Sequence, residues 1–185
     1  MQPIEKQLSE KDPEIRPVVT PERRAFLDAA FQAHLGAELA GDLSAIVATY
    51  SKNGHLNFNG VLYDTPEQLT GFHRDFGFDG QGMIGGLDGE IVQLHHTYDT
   101  LIVEYIIRGT VEIALGDAPV GRSVAFPMCV IYQFDEAGKL ASERVYADSG
   151  GLLPQPIMPI SPRSMVEGPA AENNVSHIRV RRRHK

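Results

Sequence analysis

The stretch "FDEAGKLASERVYADSGGLLPQ", Phe134 to Gln155, sets a turn, a strand and a carboxylate one after another. Gly138 reads as the turn residue, and Leu140 to Ala147 alternates as a strand of the kind that packs one face on a core. The strand closes on Asp148, just before two glycines, two leucines and a Pro-Gln. Side chains alternate along a strand, so Arg144, Tyr146 and Asp148 share one face, while Glu143, Val145 and Ala147 share the other. If the Asp148 face is the concave one, its carboxylate lies in apolar surroundings that raise its pKa and suit it to proton transfer. A second reading stays open: Asp148 caps a short helix at Gly150 to Leu153, or pairs with an arginine.

Working backwards from this stretch, the chain shows three more β segments. "EIVQLHHTYDTLIVEYIIRGTVEIAL" divides into two strands that turn near Tyr98 to Thr100, and "SVAFPMCVIYQFD" is a third. Before them lie helices. "TPERRAFLDAAFQAHLGAELAGD" opens with Thr20 as cap and Pro21 in the first turn, and Gly41 ends it. Asp42 caps a second short helix, "DLSAIVATY", and "TPEQLTGFHRDFGF" repeats the Thr-Pro-Glu opening as a third. "HLNFNGVLYD" alternates around an Asn-Gly and predicts a short hairpin. "DGQGMIGGLDG" reads as a glycine-rich connector, and it lacks the pattern of a phosphate cradle. Helices first and antiparallel strands after make an α+β domain.

Charge and composition narrow the function classes. The 185 residues carry a net charge of -7, with 42% hydrophobic and 22% charged residues, as in an ordinary globular domain. An acidic body argues against non-specific nucleic-acid binding, so no nucleic-acid partner is expected. The exception is local: "RVRRRHK" at Arg179 to Lys185 is a basic terminus. One cysteine, Cys129, excludes an intrachain disulfide and a Cys/Cys zinc site. No segment approaches the roughly 20 apolar residues of a membrane span, and no secretory leader pattern opens the chain. The expectations are a cytoplasmic protein without a membrane partner, with residues 1–20 as an arm, 21–155 as the domain and 156–185 as a proline-rich, then basic, tail.

From Pro21 to Gln155 this order of elements resembles the SnoaL-like polyketide cyclases, within the NTF2-like and ketosteroid isomerase-like superfamily. The motifs that carry the resemblance are the opening helix pair, the Thr-Pro-Glu third helix, Gly121 with its strand, and the closing "FDEAGKLASERVYADSGGLLPQ". The resemblance implies a cone-shaped α+β fold whose curved antiparallel sheet packs on helices around a deep apolar pocket. It also implies frequent dimers, no metal or organic cofactor in many members, and an acid/base aspartate on the last strand, the position of Asp148. The sequence departs from the pattern in "PMCVIYQF", which lacks the histidine that cyclases carry there, and in Arg108-Gly109-Thr110, which lacks an Arg-x-Asp.

The chemistry-bearing candidates follow. Asp148 is the expected proton carrier, with His55 or His73, on a short strand and the third helix that border the pocket mouth in that fold, or one of the pair His95 and His96, as catalytic partner. His95 and His96 are adjacent on a strand and face opposite ways, which makes a poor chelate, and His96 is placed among the substrate contacts. Tyr50, Asn57, Tyr63 and Tyr146 are further candidates for hydrogen bonds to a carbonyl or developing enolate, and each also fits a packed or turn position. With no nucleotide loop and no helical His/carboxylate cluster recognised, no metal and no cofactor are expected. The expected activity is a cofactor-independent cyclisation, isomerisation or dehydration of a small apolar carbonyl compound such as a polyketide, steroid or terpenoid. The competing reading is a non-catalytic ligand-binding or dimerisation module, since one fold serves many functions. A homodimer through the sheet is expected, from the apolar strand Val124 to Phe134.

Overall fold

A computed structural model describes residues 18–114 and 118–148, together with the backbone of 179–180. The chain starts with helix α1 (Pro21–Ala40), whose Thr20 side chain accepts from Arg23 N at 3.2 Å and which stops at Gly41 in the left-handed conformation, φ 68°. Asp42 then caps the short helix α2 (Leu43–Ala48) by accepting from Ala45 N. Thr65 and Gln68 form a reciprocal capping box at the start of α3 (Pro66–Phe76). The three helix boundaries expected from Thr20, Asp42 and Thr65 are those observed.

The strands are β1 (Tyr50–Phe58), β2 (Val61–Tyr63), β3 (Ile84–His96), β4 (Thr100–Val111), β5 (Ser123–Phe134), β6 (Leu140–Ala147) and the two-residue β7 (Arg179–Val180). Their order in the sheet is β2-β1-β6-β5-β4-β3-β7. Every neighbouring pair is antiparallel except β1 and β6, which run parallel and put Leu56 beside Glu143. The sheet is therefore mixed. Register breaks at Gly85/Asp88 and Ile91/Gln93 on β3 bend that strand, as bulges do. The glycine-rich segment expected as a connector is one only up to Met83; from Ile84 it forms the first half of β3. Close packing against this part of β3 needs a glycine on its neighbour: a Cβ on Gly109 of β4 would lie 2.4 Å from Ile84 Cγ2.

The core lies between α1 and the inner face of the sheet. Leu27 and Phe31 of α1 pack with Leu101, Val103, Phe126, Val130 and Leu140, all nearly free of solvent. The Phe31 and Tyr132 rings sit 5.3 Å apart. On β5 the inward residues are Val124, Phe126, Val130, Tyr132 and Phe134, so this face of the apolar strand packs in the core. The segment after Asp148, expected to turn over the cavity, lies outside the described residues.

Candidate active site

The apolar pattern of α3 buries Leu69, His73 and Phe76 on one stripe, which faces α1 and the bent sheet. Between these layers is a cavity of about 80 Å³. That is several times the roughly 10–15 Å³ one water needs. Phe58, Phe72, Phe76 and Phe78 wall one side, and Leu35, Ile107, Met128 and Val145 add aliphatic surface. Against this lining stand few polar groups: the carboxylates of Glu38, Asp88 and Glu143 and the phenols of Tyr105 and Tyr132. An apolar chamber with a handful of convergent polar groups is the usual form of a small-molecule site.

The polar groups gather at one end. Glu143 projects inward from β6 and takes a short hydrogen bond from the Tyr50 hydroxyl at the start of β1. His34 and Glu38 are four residues apart on α1, hence on one helical face. His34 Nε2 lies 3.4 Å from Glu38 Oε1 and 3.6 Å from Glu143 Oε2, close enough for charge attraction without forming a hydrogen bond. His73 reaches in from α3, its Nε2 3.9 Å from Glu38 Oε1. Both imidazoles are buried, with side chains 1% exposed. The Tyr105 and Tyr132 hydroxyls pair at 3.2 Å.

The ring orientations are fixed from behind. His73 Nδ1 is 2.7 Å from the Leu69 carbonyl, which can only accept, so Nδ1 carries the proton. His34 Nδ1 is 2.7 Å from the Thr49 hydroxyl, which already donates to the Ile46 carbonyl at 2.6 Å. That hydroxyl must accept, so His34 Nδ1 is also a donor. In its neutral form each ring therefore points an unshared Nε2 lone pair at the carboxylates.

Burial dominates the proton affinities here. It lifts the Glu143 carboxyl from 4.5 to about 7, with His34 opposing and Glu38 adding to the rise. The same burial depresses His73 to about 4. For His34 burial is again the largest influence and acts downward, but Glu38, through its charge and its polar contact with the ring, and the Glu143 charge together outweigh it and raise the ring's pKa. Tyr50, Tyr105 and Tyr132 are pushed well above their usual value, first by burial, and so remain neutral hydrogen-bond donors.

Two of the residues expected from sequence, Tyr50 and His73, belong to this cluster. The others stand elsewhere. Asp148 is exposed at the end of β6, its backbone N–H donating to the Pro127 carbonyl at 3.0 Å. The sheet turns the opposite face of β6 inward, the face of Glu143 and Val145, so Tyr146 is also outside and 54% exposed. His55 is half-buried on β1 and does not line the cavity. Asn57 accepts from Gly60 N and stabilises the hairpin turn, and Tyr63 packs its ring 5.0 Å from Phe72. His96 pairs with Asp28 at 2.6 Å on the far side of α1. Sequence reasoning missed His34, Glu38 and Glu143. The available signal was "HLGAE", a histidine and a glutamate one turn apart inside an apolar helix.

No family model matches the chain, and no curated protein matches it. Solved structures do. One is a protein with a ketosteroid isomerase-like fold from Catenulispora acidiphila, at TM-score 0.55 and 17% identity, over 67% of this chain and 88% of that one. Another is the NTF2-like protein BTH_I0051 of Burkholderia thailandensis, at TM-score 0.54 and 19% identity, over 68% and 93%. A third is SalBIII, an epoxide hydrolase/cyclase-like enzyme of pyran ring formation in the polyether salinomycin, at TM-score 0.53 and 14% identity, over 70% and 93%. Among the described residues no helix is long and apolar enough to cross a membrane. A mixed, bent sheet closed on three helices around an apolar chamber, with these structural neighbours, is the NTF2-like, ketosteroid isomerase-like α+β fold.

Proposed function

We propose that the chain is an enzyme that moves a proton next to the carbonyl of a small, largely apolar compound, of the polyketide, steroid or terpenoid kind. The observation that carries the reading is the placement of Glu143: a buried carboxylate at the polar end of an apolar chamber, held by the Tyr50 hydroxyl. In the reaction, the Glu143 carboxylate takes a proton from the carbon beside the carbonyl, and the electron pair moves onto the carbonyl oxygen. The Tyr105 and Tyr132 hydroxyls, which line the same chamber, donate to the resulting enolate. Return of the proton to a different carbon isomerises the compound. Attack of the enolate carbon on a second carbonyl closes a ring, and loss of a β-hydroxyl dehydrates it. The similarity in fold to SalBIII supports ring chemistry, and the apolar walls support a carbon-rich substrate.

The step that all three outcomes share is testable without knowing the product. Apolar cyclic ketones and β-diketones incubated with the protein in D₂O should gain deuterium beside the carbonyl, read by mass spectrometry. Glu143→Gln keeps the shape and should slow that exchange by about 10²–10⁴-fold, the range for a general base. Absence of catalysed exchange across the panel, or exchange that survives the substitution, removes the reading.

A further inference from the structure

The polar end of the chamber has more ligating power than one proton transfer uses. His34 Nε2 and His73 Nε2 are buried, and neither has a hydrogen-bond partner. A buried polar atom left without a partner needs a physical reason. The reason is not a wrong tautomer, because both Nδ1 atoms must donate, His73 to a carbonyl and His34 to a hydroxyl already committed as donor. The two Nε2 atoms lie 3.4 Å (His34) and 3.9 Å (His73) from one carboxylate oxygen, Glu38 Oε1. His34 Nε2, His73 Nε2 and a Glu38 oxygen all lie within 4.8 Å of one another.

Those separations match what a small divalent ion requires. Ligand atoms about 2.0–2.1 Å from a zinc-like ion are about 3.4 Å apart along a tetrahedral edge. The observed spacings to Glu38 Oε1 are 3.4 Å for His34 and 3.9 Å for His73. All three ligand atoms lie within 4.8 Å of one another, so side-chain movements of about an ångström would bring them onto one ion. The hydrogen bonds behind the rings are those that metal-binding histidines make, each donating its other N–H to fix ring and tautomer. Charge agrees as well. Glu38 and Glu143 both line the chamber, whose lining includes no lysine or arginine, so a dication meets two carboxylates.

We infer that His34, Glu38 and His73 form a binding site for a divalent first-row metal ion of the zinc, cobalt or iron(II) class. Two imidazoles and one carboxylate hold the ion, and its remaining position opens toward the chamber. Glu143, 3.6 Å from His34 Nε2, stands beside that position. The expectation of no metal rested on seeing no His/carboxylate cluster on a helix; His34 and Glu38, one turn apart on α1, are such a pair, and α3 brings His73 to them only in the fold. This site stands on geometry alone and does not depend on the proposed reaction.

The test uses the full chain, stripped with chelator and titrated with Co²⁺. The expected result is visible d–d absorption of four- or five-coordinate cobalt, saturating at one ion per chain, and displaced by Zn²⁺. His34→Ala, Glu38→Gln and His73→Ala should each abolish the bands, with far-UV circular dichroism confirming the fold, whereas Glu143→Gln should keep them. For the unaltered chain, Zn²⁺ at 100 times its dissociation constant should stabilise by the equivalent of about 2.7 kcal/mol, so a thermal shift gives a reading independent of any variant. No bands and no thermal shift would overturn the inference. So would bands that persist in the three variants, since the ion would then sit on other histidines. Deuterium exchange by the stripped protein separates the two readings: exchange without metal binding sinks this one and leaves the proposed reaction standing, and metal binding without exchange does the reverse.

Discussion

Glu143→Gln should make the metal-free protein more stable at pH 8 and leave it little changed, or slightly weaker, at pH 5. Burial raises the Glu143 carboxyl from 4.5 to about 7. A carboxyl whose folded pKa is raised contributes stability while protonated, below 4.5, and loses that contribution as pH climbs through 7. At 1.36 kcal/mol per tenfold, ionising the group in the folded state costs roughly 3 kcal/mol by pH 8. The glutamine has no charge to desolvate. The carboxylate's stronger hydrogen bond from Tyr50 already counts in that figure, because it is among the influences that set the value of about 7. At low pH His34 weighs against the variant: Glu143 helps to raise it, so the substitution removes some of the low-pH stability that a raised histidine provides. Glu38 remains 3.4 Å from the ring, so no imidazolium is left without a counter-charge. The net gain is roughly 3 kcal/mol at pH 8, or about 1–2 M in a urea midpoint at a typical slope. Urea unfolding of both chelator-treated proteins at pH 5 and pH 8 measures it. An equal difference at the two pH values, or a loss at pH 8, would refute the placement of a desolvated carboxylate at this position.

Other outcomes follow from single contacts. In metal-free protein, ¹⁵N spectra of His73 should show the Nδ1–H tautomer and a ring still neutral at pH 5, because its pKa is depressed to about 4 by burial; a ring charged at pH 6 contradicts the packing of α3. Gly77→Ala should destabilise by more than about 2 kcal/mol, since φ is 124° and the added Cβ would lie 2.0 Å from the Ile84 carbonyl oxygen; an unchanged melting temperature would mean the α3–β3 junction is built differently. Thr65→Ala should cost about 1 kcal/mol by removing the capping box of α3, measured by thermal unfolding. Light scattering should give about twice the 20.3 kDa chain mass: the outer sheet face pairs Ile106 with Pro127 and Cys129 with Tyr146, beside Val92. A monomer unchanged on dilution removes the dimer.

The architecture was legible because its signals are local. Thr20, Asp42 and Thr65 each present a side-chain oxygen to a nearby N–H, and Gly138, at φ 74°, is the turn that starts β6. The site was less legible, and β6 shows why. Alternation assigns Glu143 and Asp148 to opposite faces of one strand, but nothing within the strand says which face is inside. That choice is made by β6's neighbours, the parallel β1 that sets Leu56 beside Glu143 and the β5 strand that sets Tyr132 across from it. With both partner residues buried, the Glu143 face has to be the inner one, and a carboxylate placed there must find Tyr50 and His34 or stay protonated. The helix carried the complementary clue. A histidine and a glutamate four residues apart, on a segment that also supplies Leu27 and Phe31 to the core, cannot both reach water, so "HLGAE" implied a buried polar pair. What no single element could supply was the third member, because His73 arrives from a helix that begins more than twenty residues later in the chain.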